Sequence, residues 1–423
     1  MQFIEDLDKE TYDNFVLNHP TKSHFMQSYA WGEVNKYKNF IPHYVGIKDN
    51  NKLIATALIL KKRLPLGYSY FYIPRGYVMD FDNLDVLNFI TKEIKKYALK
   101  NKAIFIKIDP DLKLHDLDEE GNIIENNHNN QPLIDNLISL GYKHKGFNKN
   151  FENSQPRYTF RLDLTSSLEN IRKGMHSTTR KILNRNNPYN LKINIGNEKD
   201  IKKFFDLMKI TSNRDNFVNS QYEYYYHFYN TLNKYKMTDL MFIEVSGKDI
   251  INKTKEMINE SNKELLTVKN EGKKQDLLLK IKKLENNLTE YETYNNIYPD
   301  KVIISSVITV KYGDKVWTVH GGNHDIYRSL DANYLLYYEI LVKAKNEGYK
   351  IIDFFGTTGN PTLDNKIYGI HLFKKRFGGE YIEFIGEFDL VTNKPMYLIF
   401  TKLIPFYRKI MKRIINIKNK QTK

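Results

Sequence analysis

Between residues 247 and 298 the chain changes character. Helix formers and charged residues dominate there, yet strand-like alternation stands on both sides, at 240–245 and 302–312. Ile251, Ile258 and Leu265 sit seven apart, with Thr254, Ser261 and Val268 at the intervening positions. Gly272 breaks the run, and after it Leu277, Ile281, Leu284, Leu288 and Tyr291 follow a 4-3-4-3 spacing. That period makes a narrow apolar seam on each of two helices. The spacing predicts an antiparallel helical hairpin, each arm of about 20 residues reaching roughly 30 Å. The alternative is a helix pair lying flat on its domain. In either case the flanking strands belong to one domain that must close around an insertion.

A chain of 423 residues exceeds what one core supports, since cores stop growing at about 250–300 residues. Residues 1–150 read as one mixed α/β lobe. It has helix patterns at 7–18 and after Ser28, a plausible N-cap, and hairpin strands at 43–47 and 53–60. A strand at 69–73, a helix at 84–100 and a buried strand at 103–108 follow. Residues 151–246 and 299–389 read as a second lobe, with 247–298 as the inserted coiled-coil arm. Its strands fall at 158–164, 240–245, 302–312, 316–320, 351–355 and 381–385. Its helices fall at 168–185, 201–212, 222–235 and 334–347. Residues 390–423 are expected to complete the first lobe. Both halves share one order: hairpin strands, a helix, a buried strand, then a conspicuous strand end. The fold class expected is α/β (α+β), two related lobes with the helical arm between strands of the second.

The formal charge of +15 suggests an anionic partner, whether nucleic acid, a phosphate-bearing substrate or a membrane surface. A host rich in Lys and Asn is the plainer explanation. There are no cysteines, which excludes disulfides, a thiol nucleophile and Cys-ligated zinc. The histidines show no metal-ligand spacing. Neither GxxxxGK[ST] nor GxGxxG occurs, nor G-x-S-x-G, so no metal, nucleotide cofactor or serine elbow is expected. The acidic, polar N-terminus is no signal peptide. No apolar run reaches the ~18 residues of a spanning helix. A cytoplasmic protein is expected. The stretch 402–423 carries eight Lys or Arg and no acid. Ile410, Met411, Ile414, Ile415 and Ile417 could face one side of a helix there, resting on an anionic bilayer, or the stretch could fray.

Lys374, Lys375 and Arg376 are packed between Phe373 and Phe377, ahead of Gly378-Gly379. Cations beside a glycine turn can hold an anion or a developing oxyanion; they can equally be the solvated end of a helix. Asp109 ends an apolar strand, where α/β folds expose functional groups, although IDPD also makes a stable turn. Arg75, in YIPRG, suits either a phosphate or a structural salt bridge. Arg214 precedes the tyrosines at 222–226, among them Tyr225. Arg with tyrosine suits a nucleotide sugar, whereas tyrosines at helical spacing also build cores. The basic helix around Arg180 fits RNA or a solvated face.

Taken in order, FMQSYAW at 25–31, YIPRG at 72–76, IKIDPD at 106–111, TSNRDNF at 211–217, DFFG at 353–356, YGI at 368–370 and FKK at 373–375 resemble the Fem/MurM peptidoglycan-bridge aminoacyltransferases. The resemblance runs from about residue 1 to 400. It is strongest to the FemX-like members, which add the first bridge residue, and GEFD at 386–389 and NKPMY at 393–397 add to it. It implies two GNAT-like lobes and an enzyme that uses aminoacyl-tRNA as co-substrate, without a cofactor. The implied acceptor is the stem-peptide side-chain amine of lipid II or UDP-MurNAc-pentapeptide. The amino acid is glycine first, else alanine or serine. It ties Lys374 and Asp109 to the transfer step and gives Lys36 and Arg214 the acceptor's phosphates. Trp31, Arg75 and Tyr225 are further candidate substrate-binding residues. Arg376 departs from the family pattern. Contact with the inner membrane face and with other bridge-forming transferases is also implied. The other classes are an acyl-CoA-dependent GNAT enzyme, whose Q/R-x-x-G-x-G/A loop is missing, and a non-enzymatic RNA- or membrane-binding protein.

Overall fold

The computed structural model describes residues 1–404 apart from Asn126 and Asn186. The basic stretch beyond, including Ile410 to Ile417, lies outside the described residues. The chain forms two compact units. The first comprises Met1–Thr159, Gly356–Thr362 and the chain from Tyr381 on; the second comprises Phe160–Phe355 and Leu363–Glu380. The first division thus falls at Thr159, not at 150. Residues 381–389 fall in the first unit. Ile382 and Phe384 pair with Asp116 and Lys113, and Phe388–Val391 lies between Ala103–Ile108 and Tyr142–His144.

In the first unit, seven strands lie in the order Gln2–Ile4, Phe40–Asp49, Lys52–Arg63, Ser69–Ile73, Ala103–Ile108, Phe388–Val391 and Tyr142–His144. Asn50 and Asn51 turn the hairpin between the second and third of these at φ 45° and 64°, the left-handed conformation a tight hairpin requires. Ser69–Ile73 and Ala103–Ile108 run parallel, so the chain crosses over between them through helix Leu84–Lys100. Asn83 caps that helix by accepting from the Val86 N–H, and Leu87, Ile90, Ile94 and Ala98 face the core.

The second unit repeats this order. Thr238–Val245, Val302–Tyr312 and Lys315–Asn323 are successive antiparallel neighbours. Helix Ala332–Asn346 then leads to Ile351–Asp353, which runs parallel to Lys315–Asn323. Ile193–Gly196 flanks Thr238–Val245, and Tyr158–Asp163 flanks Ile351–Asp353. The basic helix expected over 168–185 is two helices, Leu168–Gly174 and Ser177–Asn184. His176 starts the second by accepting from the Thr178 N–H, and Arg180 binds the Lys173 and Met175 carbonyls across the break.

Helices Gly247–Thr267 and Glu271–Ile297 occupy the inserted stretch. They pair antiparallel, with Lys255 to Glu292 at 3.1 Å and Lys273 to Glu264 at 2.8 Å. The turn lies at 268–270, ahead of Gly272, because Asn270 caps the second helix by accepting from Lys273 N–H. Leu277, Ile281, Leu284 and Tyr291 are buried along the second helix. Facing positions on the first bury Thr254 and Ser261, whose hydroxyls donate to the Ile250 and Met257 carbonyls of their own helix. Small, internally satisfied side chains let two helices approach closely without a polar penalty. Among the described residues no helix is long and apolar enough to cross a membrane.

One short helix of the second unit, Tyr368–Lys375, is held mainly by aromatic packing. Phe373 meets Tyr334 and Tyr337 at 5.1 and 4.9 Å, and Phe377 meets Phe354 at 5.4 Å. Phe377→Ala is expected to cost about 3–5 kcal/mol, the usual range for truncating a buried Phe. Denaturant unfolding checks this, and a loss below ~1 kcal/mol would contradict the anchoring described.

Candidate active site

Phe377 is fully buried and Phe373 half-buried against Tyr334 and Tyr337, and Lys374 between them is buried as well. Its residue is only 9% exposed. The Nζ donates to the Phe355 carbonyl at 2.9 Å. Burial strips water from the ammonium and pulls its pKa down to about 7, while the negative charge of Asp353 acts in the opposite direction. A lysine in that range carries its proton only part of the time near neutrality. It can therefore offer a cation or a base. Asp353 is buried and accepts from Arg161 Nε and from the Phe355 N–H, both at 2.8 Å. Lys375 and Arg376 are half-buried. Arg376 donates to the Tyr334 hydroxyl at 2.9 Å, and its carbonyl accepts from His176 N–H and Thr179 Oγ1. Arg376 thus ties this helix to its neighbours.

In the first unit Asp109 and Arg75 come together at the ends of the parallel strands. Asp109 is 4% exposed and accepts from Arg75 N–H at 2.7 Å and from the Tyr72 hydroxyl at 2.8 Å. Burial pushes its pKa up to about 6, against the pull of the Arg75 charge and these hydrogen bonds. Arg75 sits at φ 53°. Its guanidinium donates to the Pro156 carbonyl at 2.7 Å and stacks 4.3 Å from the Phe384 ring. Of its two readings, these contacts favour the structural one.

The remaining candidates differ in what surrounds them. Arg214 grips Asp215 through Nε and Nη2 at 2.7 and 2.9 Å, and Asp325 and the Asn323 carbonyl through Nη1 at 3.0 and 2.9 Å. An incoming phosphate would compete with those carboxylates. Lys36 ends helix Tyr29–Lys36, is exposed, and pairs with Glu33 at 2.7 Å. Trp31 is 8% exposed and meets Phe25 edge-on at 5.2 Å. Tyr225 is 2% exposed, packs on Phe204 and His320, and donates to Asn219 at 2.7 Å. Both rings are core, which leaves them little face for a substrate. Asp353, Arg161 and Tyr72 were not among the residues singled out from the sequence as site residues. Asp353 carried a usable signal, since it ends a buried strand just as Asp109 does. Among the described residues no three acidic or histidine side chains group to hold a metal.

Two α/β units share one topology, each with a buried aspartate beside a cation at the end of its parallel strand pair. The chain belongs to the FemAB family, whose profile matches residues 7–403. It is 28% identical over 421 residues to the lipid II:glycine glycyltransferase of Staphylococcus haemolyticus, covering 95% of each chain. It is 28% identical over 415 residues to that of Staphylococcus aureus, covering 94% of each. It is also similar to the crystal structure of FemX, with a TM-score of 0.73 and 26% identity over 94% of this chain and 99% of that one.

The lowered pKa of Lys374 has a stability signature. The folded protein releases this proton near pH 7, and the unfolded chain near the ordinary value of 10.5. Between them the unfolded state binds more protons, so stability rises with pH across that window, by up to about 1.4 kcal/mol per pH unit. Lys374→Met is expected to remove that slope and to stabilise the fold at pH 7. Denaturant unfolding of both proteins from pH 6 to 10 checks it; parallel curves would show the lysine to be solvated.

Proposed function

We propose that the protein is a tRNA-dependent aminoacyltransferase that adds glycine to the stem-peptide side-chain amine of lipid II, as a step in building the peptidoglycan cross-bridge. The observation that carries this reading is similarity along nearly the whole chain to lipid II:glycine glycyltransferases. UDP-MurNAc-pentapeptide presents the same amine and is the second acceptor. A net charge of +15 suits a polyanionic donor and a diphosphate-bearing acceptor. A lipid-linked acceptor brings the enzyme to the inner face of the membrane, where other bridge-forming transferases would work on its product.

In the proposed reaction the acceptor amine attacks the ester carbonyl of the aminoacyl-tRNA. A C–N bond forms, the ester C–O bond breaks, and the ribose hydroxyl leaves with a proton. Lys374 is the proposed donor to the oxyanion of the tetrahedral intermediate. With a pKa near 7 it can also take the amine's proton and return it to the leaving oxygen. Arg214, in the same unit as Lys374, holds the acceptor's phosphates by exchanging Asp325 for the anion. The ester is reactive enough to need neither a covalent intermediate nor a cofactor.

The test is transfer by purified protein to lipid II with each charged tRNA in turn, the product weighed by mass spectrometry. A gain of one glycyl residue with glycyl-tRNA is expected; no gain with any charged tRNA would overturn the proposal. Lys374→Ala should lower the rate roughly 10²–10³-fold, the usual cost of losing an oxyanion donor, while lipid II binding persists.

A further inference from the structure

Strand Ile351–Asp353 ends abruptly, and the manner of its ending bears on Lys374. Phe355 stands at φ 58°, a left-handed conformation uncommon for a bulky residue. Something must hold it there. Asp353 does so, because Oδ1 accepts the Phe355 N–H at 2.8 Å. Oδ2 accepts from Arg161 Nε at 2.8 Å, and Arg161 lies directly opposite Asp353 across the antiparallel strand pair. The carboxylate is thus fixed from the neighbouring strand on one side and bends its own chain on the other. The bend turns the Phe355 carbonyl toward Lys374 Nζ, which donates to it at 2.9 Å.

A strand-end aspartate also holds a left-handed residue in the first unit, there across two neighbouring strands. Asp109 accepts from the N–H of Arg75, another left-handed residue at φ 53°, at 2.7 Å.

We infer that Asp353 is a positioning residue for Lys374: by holding the Phe355 N–H it sets the Phe355 carbonyl that in turn holds the lysine's amine. The inference rests on Lys374 acting in the transfer proposed above. Asp353 faces Lys374 from strand Ile351–Asp353, with Arg161 behind it on strand Tyr158–Asp163. On the lysine's own helix, His371 is buried against Phe160. From helix Ala332–Asn346, Tyr334 and Tyr337 pack on the adjoining Phe373.

The experiment compares wild type, Asp353→Asn and Arg161→Gln, each first shown to be folded by circular dichroism. Transfer is measured as kcat and KM. The titration of Lys374 is read separately, from the pH dependence of its labelling by an amine-selective reagent, quantified by peptide mass spectrometry. Asp353→Asn should lower kcat roughly 10–100-fold, as misplacing a reacting group does, with KM for lipid II little changed. It should also move the Lys374 titration to lower pH. Arg161→Gln leaves Asp353 less neutralised and should move the titration to higher pH. Loss of a buried ion pair as such would not produce opposite signs. Unchanged kcat and titration in folded Asp353→Asn would overturn the inference. Should that variant not fold, Arg161→Gln decides, and an unchanged or lowered midpoint overturns it. Absence of transfer by the wild type sinks the functional proposal alone, because the labelling reads the Asp353–Lys374 link without turnover.

Discussion

The aromatic grip on helix Tyr368–Lys375 is the interaction from which the chemistry of the second unit follows. A helix of eight residues has little stability of its own, because nucleation costs more than so few backbone bonds return. Phe373 and Phe377 supply the rest by packing into Tyr334, Tyr337 and Phe354. Lys374, one residue from Phe373 and three from Phe377, is carried inward with them. Its altered proton affinity is therefore a by-product of how its neighbours pack. Gly378 and Gly379 make this geometry possible at φ 79° and 96°. A Cβ on either would press on the Gly174 or Arg161 carbonyl, at 2.9 and 2.6 Å.

Much of this architecture was legible from periodicity. Helix Leu84–Lys100 and strands Ser69–Ile73 and Ala103–Ile108 have the limits that their apolar spacing suggested. So does the pairing of two lobes with one order of elements. Short pieces were missed where pattern has no room to develop, as in Gln2–Ile4 and Ile193–Gly196. The break at Met175–His176 was missed because it depends on a histidine cap and an arginine bridge that periodicity does not register.

The candidate site was harder to read, for a physical reason. Sequence identifies residue types suited to chemistry but not the partners that decide their state. Arg214 and Arg75 look alike on paper as phosphate binders. One is held by two aspartates near the surface, and the other is sealed under a phenylalanine ring. Trp31 and Tyr225, attractive as stacking surfaces, are used up in the cores of their own units. Asp353 had to be seen beside Phe355 before its bend in the chain gave it a role.

The inserted helical pair has a topological consequence. Val245 and Val302, at its two ends, are partners on one rung of the antiparallel ladder. In terms of sheet connectivity the whole arm is therefore a hairpin turn drawn out to great length. The cost of closing a loop grows only with the logarithm of its length, so the sheet is nearly indifferent to how long the arm becomes. The arm's own seam, repeating every seven residues, must support it. Heptads can thus be gained or lost there without disturbing the strands beneath, so the arm's length is set apart from the sheet it closes.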